Sequence, residues 1–291
     1  MSLEQYKAGF TPVHGYWFTW FLVRELREKR GCFDVTLDIG LSTSRVCMNG
    51  SELSVGELVV NLDDVVPGED DRVVLLEKSG DKYEVVYHSS KGFYKLKAVG
   101  VDKAPTLEIN GIHMHRVTGV DPWRDTLLKV HATGVSPGNV VLDTCMGLGY
   151  TAIASLYQGA REVYTFEVDE TVIWVAERNP WSRGLSDQRV KMHLGDVTEL
   201  VHLLPDSYFH RVIHDPPRFT RSTGDLYSLE FYSELYRVLK PRGLLFHYTG
   251  EPWRRGGPSV LKGIKERLGR AGFRVLRYDQ GAQGFVALKP W

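Results

Sequence analysis

The sequence predicts an α/β fold: a doubly wound parallel sheet with helices on both faces and a reversed last strand, preceded by a mainly antiparallel β domain. Three observations carry this. First, the stretch VVLDTCMGLGYTAIAS from Val140 to Ser155 reads as an apolar strand ending in Asp143, a tight turn with Gly147 and Gly149, and a helix. Second, REVYTFEVDE, VKMHLGDV and FHRVIHDPPRF follow as strands whose ends carry Glu167, Asp196 and Asp215, with helical patterns between them. Third, from Phe33 to about Val117 the chain consists of short β-branched runs broken by turn signals. These predict residues 1–118 as an N-terminal helix plus antiparallel β domain and 119–291 as the doubly wound domain.

The elements follow in order. Tyr16, Trp17, Trp20, Phe21, Val23 and Leu26 recur at helical spacing and lead into RELREKRG, so one amphipathic helix is expected, its aromatic stripe packing into the core. The β runs FDVTLDIG, SRVCMNGSE, ELVVNLDD, DRVVLLEKSGDKYEVVYHSS, GFYKLKAV and TLEINGIHMHRV come next, with hairpin turns at Asn49-Gly50, Ser79-Gly80 and Asn110-Gly111. His113 and His115 are two apart, which favours a ladder position or substrate contact over a metal pair, and no metal is expected. Asp121-Pro122 opens a helix with an apolar side of Trp123, Leu127, Leu128 and Val130. Beyond the strand-end motifs, helices are expected at Thr171–Glu177 and over 225–240. GLLFHYTG is a fifth strand ending at His247 and Tyr248. After a Gly/Pro/Arg-rich loop come a helix over Leu261–Ala271 and a final antiparallel pair, FRVLRYD and GFVALKP.

Composition bounds the setting. The 291 residues are 43% hydrophobic and 25% charged, enough for a sizeable core. Lys+Arg 36 balances Asp+Glu 36, so no global positive field draws in nucleic acid. Three cysteines without CxxC spacing argue against a disulfide framework and a structural zinc site, and a reducing cytoplasm is the expected compartment. Tyr16–Val23 is too short to span a bilayer and lacks signal-peptide flanks, so a soluble protein without a membrane partner is expected.

Two glycines let backbone approach a ligand, and the helix behind them presents amides and a positive dipole end. Ligands of open parallel sheets bind at the carboxyl ends of the strands, where the four acids converge, and Glu167 stands at the spacing of an acid that reaches a ribose hydroxyl. The prolines of HDPPRF cannot donate hydrogen bonds, so they hold an irregular loop that offers carbonyl oxygens and the Asp215 carboxylate to a substrate.

Taken together, DTCMGLG resembles the first motif of class I S-adenosylmethionine-dependent methyltransferases, and Glu167, Asp196 and Asp215-Pro216-Pro217 fall where that family keeps its second, third and fourth motifs. The resemblance covers about residues 120 to 290. Cys145 and Met146 stand where the family has a glycine and a small residue. It implies a Rossmann-like methyltransferase sheet with S-adenosylmethionine held by Asp143, Cys145, Gly147 and Gly149, by Glu167 and Val168 at the ribose, and by Asp196 and Val197 at the adenine, with a cap of the helix starting at Val197 as the alternative for Asp196. Asp215 and Tyr248 are then the candidate catalytic residues. Pro216, Pro217, Arg218, Phe219 and His247 are the candidate substrate contacts, with strand packing as the alternative for His247 and Tyr248. The implied partner is a methyl acceptor: a small molecule, RNA or protein.

A second resemblance competes. The N-terminal hairpins, the order of the motifs and DLYSLEFYSELYRVLKPRGLL are similar to spermidine synthases, aminopropyltransferases built on the same sheet. In that pattern Asp215 matches the first acid after the fourth strand and Leu226–Tyr232 the helix start, but Arg218 stands at the second acid. Aminopropyl transfer is therefore the alternative reaction, and a non-catalytic cofactor-binding interaction protein the second alternative.

Overall fold

The structure, a computed structural model, describes residues 2–250 and 258–291. By its internal contacts the chain forms two compact units: Thr11–Arg124 with Thr171–Gly184, and Met1–Phe10 with Asp125–Glu170 and Leu185–Trp291. This division differs from a single cut at residue 118, because the first ten residues and the stretch after Glu170 change sides.

The first unit starts with β1 (Gly15–Thr19) and α1 (Trp20–Glu28), which replace the single helix expected over Tyr16–Leu26. Trp17 and Phe18 are neighbours on a strand and point to opposite faces, yet they are 1% and 0% exposed, so both faces are covered. Burying both contributes about 1.5–3 kcal/mol per side chain, which outweighs the weak helical preference of an aromatic run. Thr19 makes the change of direction as N-cap, its hydroxyl accepting the Leu22 amide at 3.2 Å.

Next come β2 (Gly31–Val35), β3 (Ser44–Asn49), β4 (Glu52–Val55) and β5 (Leu58–Asn61), an antiparallel sheet in chain order. β6 (Val73–Glu77) pairs with β1 and with β7 (Lys82–Glu84). β8 (Val86–Ser89), β9 (Gly92–Lys97), β10 (Thr106–Ile109) and β11 (Ile112–His113) form a third antiparallel sheet. The β10–β11 turn is the expected Asn110-Gly111, with both φ values positive at 50° and 78° as a type I′ turn requires. Phe18, Leu22, Val23 and Leu26 pack against Val46, Met48, Leu53 and Val65 as the core of this unit. Cys32 and Cys47 face one another across β2 and β3 and form a disulfide, which corrects the expectation of none. Counting cysteines and their spacing cannot detect a pair brought together by strand register.

α2 (Pro122–Thr133) begins as predicted, the Asp121 carboxylate accepting the Arg124 amide at 2.9 Å. It leads to β12 (Val140–Asp143), α3 (Tyr150–Tyr157), β13 (Glu162–Glu167), α4 (Glu170–Glu177), β14 (Val190–Leu194), α5 (Val197–Leu200) and β15 (Phe209–His214). α6 (Leu229–Val238), β16 (Leu239–Tyr248), α7 (Pro258–Arg270), β17 (Arg274–Asp279) and β18 (Gly284–Leu288) complete the chain.

The sheet of the second unit has the order β14-β13-β12-β15-β16-β18-β17, with β18 antiparallel to both its neighbours and β14 to β16 parallel. Strand order reverses between β12 and β15, so the ligand crevice lies outside their carboxyl ends. The helix expected over 225–240 is instead a 3₁₀ turn (Gly224–Tyr227), a Ser228 cap that accepts the Phe231 amide at 3.0 Å, and α6. It ends early because Leu239 is already extended and paired with Phe209, and Pro241 cannot continue a helix. The Gly/Pro/Arg-rich stretch expected as a loop falls largely on 251–257, outside the described residues.

Candidate active site

The loop after β12 is shaped by its two glycines. Gly147 and Gly149 have φ of 55° and 76°, and a Cβ on Gly149 would stand 2.5 Å from the Leu185 side chain. The Met146 amide donates to the Phe166 carbonyl at 2.7 Å, and the Gly147 amide to Glu167 Oε2 at 3.0 Å, so the loop is stitched to the end of β13. Glu167 Oε1 accepts the amides of Val168 at 2.9 Å and Asp169 at 3.1 Å. A carboxylate has about four acceptor positions, so about one remains for a ligand hydroxyl. Burial pushes Glu167 up to about 7, against these three backbone N–H groups.

Asp143 is fully buried beside Thr165 of β13, whose hydroxyl donates to its Oδ2 at 2.7 Å. Its Oδ1 is buried with no hydrogen-bond partner among the described residues, and burial raises its pKa to about 7. Burial also pushes the Cys145 thiol up, and its Sγ lies 3.7 Å from the Thr144 hydroxyl. A glycine cradle, an acceptor position on Glu167 and an orphaned Asp143 oxygen fit a nucleoside cofactor with hydroxyl and ammonium donors. Asp196 serves as the cap of α5, its Oδ1 accepting the Thr198 amide at 2.8 Å. Val197 is buried, so backbone is what it offers a ligand, whereas Val168 is 63% exposed.

A buried charge cluster beyond the end of β15 was not visible in the sequence. Asp215 Oδ2 accepts from Lys129 Nζ at 2.6 Å, Asp125 Oδ2 lies 3.3 Å from the same ammonium, and the Tyr248 ring centroid is 4.0 Å from it. The side chains of Lys129 and Asp125 are 1% and 0% exposed. Burial alone pulls the Lys129 ammonium down, but Asp215 and Asp125 more than reverse this and hold it charged. Asp125 and Lys129 are one helical turn apart on α2, with Leu128 and Val130 flanking the lysine. A lysine between two apolar residues was the available signal.

His214, which no motif of the sequence marks, donates from Nε2 to the Leu226 carbonyl at 2.9 Å and accepts at Nδ1 from the Thr144 hydroxyl at 2.8 Å. It thereby ties the loop after β12 to the turn beyond Asp215. His247 is equally buried: Nδ1 donates to the Tyr248 carbonyl at 2.8 Å, and Nε2 accepts the Tyr232 hydroxyl at 2.6 Å. With both nitrogens engaged inside the protein, His247 has the strand-packing role that was the alternative to substrate contact. His113 Nε2 lies 2.9 Å from Glu108, and His115 Nδ1 3.1 Å from the Thr106 hydroxyl, so both bind to the neighbouring strand.

Pro216 is buried, while Pro217, Arg218 and Phe219 are exposed. The Tyr227 hydroxyl donates to the Pro217 carbonyl at 2.8 Å, and Phe219 meets the Tyr227 ring edge-on at 5.2 Å. Phe219 and Tyr227 also line an open cleft of about 420 Å³ with Leu229, Arg267 and Arg270. The DPP loop thus contributes Phe219 to a cleft that Arg267 and Arg270 of α7 also line.

The family described as the spermine/spermidine synthase domain matches residues 151–276. The chain is 45% identical to uncharacterized protein MJ1233 of Methanocaldococcus jannaschii, over 76% of this chain and 75% of that one. It is 32% identical to polyamine aminopropyltransferase 2 of Streptomyces coelicolor over 58% of its own length, but spans only 31% of that protein. A crystal structure of spermidine synthase with the transition-state analogue AdoDATO shares the fold, with TM-score 0.57 and 22% identity over 70% of this chain and 72% of that one. The chain is also similar over half of its length to putrescine N-methyltransferases of Nicotiana tabacum, and on the strength of the first relative it belongs to the same family as MJ1233.

Proposed function

We propose that this protein transfers a methyl group from intact S-adenosylmethionine to an acceptor held at the DPP loop. The observation that carries the reading is Arg218, exposed three residues after Asp215, where the spermidine synthase pattern has a second acid. An arginine there repels a polyamine and favours a neutral or anionic acceptor.

When bound, the cofactor would supply an electrophilic methyl carbon on a sulfonium. The N-terminus of α3, behind the Gly147–Gly149 turn, would hold its methionine carboxylate, since a positive dipole end suits an anion. Glu167 would accept a ribose hydroxyl at its remaining acceptor position, and Asp143 would accept from the ammonium. Asp196 and Val197 are assigned to the adenine side. Asp215 accepts a hydrogen bond from the attacking atom and aligns it, and Tyr248 closes the site beside it. Positioning of this kind is the main contribution to an in-line displacement.

Aminopropyl transfer remains the second reading, because the spermine/spermidine synthase match spans the helices and strands around Asp215. The test is a parallel assay of intact and decarboxylated cofactor against pooled polyamines, nucleic acids and cell extract, reading methyl transfer and methylthioadenosine release. The expected result is methyl transfer with the intact cofactor, lost in Asp215→Asn. Methylthioadenosine formed only with the decarboxylated cofactor and a polyamine would overturn it.

A further inference from the structure

Lys129 leaves solvent completely, and an ammonium does so only where countercharge surrounds it. Its surroundings are specific: Asp215 Oδ2 at 2.6 Å, Asp125 Oδ2 at 3.3 Å and the Tyr248 ring face at 4.0 Å. Carboxylates combined with an aromatic face make up the acceptor set that holds the cation of a bound amine ligand. Asp215 and Tyr248 are also the two residues placed on the acceptor side, so the ammonium stands where an amine acceptor would have to bring its own charge.

We propose that Lys129 is a resident stand-in for a cationic amine: it fills the cation site formed by Asp215, Asp125 and Tyr248, and so excludes acceptors that bind there as protonated amines. The inference rests on the reading of Asp215 as the acceptor side. A protonated amine meets a site whose carboxylate is already paired, and like charge beside it. A neutral nitrogen, an oxygen or a sulfur meets an aligned carboxylate instead. Arg218, exposed three residues after Asp215, acts in the same sense.

Lys129→Ala deletes three methylenes and an ammonium, which together have the shape of n-propylammonium. The variant should therefore regain that cation from solution. We expect n-propylammonium chloride to raise the melting temperature of Lys129→Ala by about 3 °C over sodium chloride at equal ionic strength, the effect of a ligand at roughly ten times its Kd. Wild type should show no such rise, and Asp215→Asn in the Lys129→Ala background should abolish it. Where Lys129→Ala does not fold alone, its refolding yield with and without n-propylammonium reads the same equilibrium. An equal response in wild type and variant, or none in the variant, overturns the proposal.

Titration of wild type with putrescine is the second measurement. No heat that depends on Asp215 is expected, and binding that Asp215→Asn removes would contradict the proposal. Neither readout involves group transfer, so failure here bears on the cation site alone, whereas failure of the paired-cofactor assay bears on the reaction.

Discussion

His247 is held down to about 4 by burial, and His214 well below its ordinary value for the same reason. An unfolded histidine takes up its proton near pH 6.5, so the stability that comes from keeping these rings neutral is complete above 6.5 and is lost as pH falls toward 4. For His247 that amounts to about 2–4 kcal/mol. Asp143 and Glu167, both raised to about 7, work in the opposite direction: their contribution is present below the unfolded carboxylate range and lost as pH rises through 7. Subtracting the urea-unfolding profile of His247→Gln from that of wild type isolates the histidine. Wild type should lose stability relative to the variant between pH 6.5 and 4, and parallel profiles would show that His247 does not titrate with unfolding. A second residue-scale expectation concerns Glu167→Ala, which should weaken S-adenosylmethionine binding by about 1.5–3 kcal/mol in a calorimetric titration, the worth of a hydrogen bond to a charged group. The strand-end acids were legible because periodicity fixes where a strand stops. Lys129, Asp125 and His214 were not, because their meaning comes from partners up to 86 positions away.

At the scale of elements, local chemistry was readable wherever one or two residues decide the backbone. Asn110-Gly111 and Asp121-Pro122 behaved as their turn and cap chemistry requires. Tyr16–Leu26 and 225–240 did not, because strand pairing with residues far along the chain overrode a helical period. Gly149 is the element-level test of the cofactor loop. Gly149→Ala should destabilise the protein by about 2–4 kcal/mol, through left-handed backbone and contact with Leu185. In a double-mutant cycle with Leu185→Val the two costs should be less than additive, and strict additivity would mean that the contact is absent. The disulfide gives a further expectation. Its sequence separation is 15, so Cys32→Ser should cost about 2–4 kcal/mol in chemical unfolding. Dithiothreitol should reproduce that loss in wild type and have no effect on the variant.

For the whole molecule, the order of motifs in the chain is what made the doubly wound sheet legible, since alternating strands and helices with right-handed crossovers admit few topologies. The division into units was less legible: Thr171–Gly184 follows the β13 strand in sequence yet makes its contacts with the N-terminal β unit. The sheet brings the glycine loop, Glu167 and the Asp215–Lys129 pair to the carboxyl ends of adjacent strands, and the central claim is that this arrangement is built for intact S-adenosylmethionine. A methionine carboxylate would suit the α3 N-terminus, whereas the decarboxylated compound presents a cation there alone. The direct measurement is paired calorimetric titration of wild type with the two compounds under identical conditions. Binding of the intact cofactor at least about tenfold tighter, a difference of about 1.4 kcal/mol, is predicted. Tighter binding of the decarboxylated compound would contradict the account.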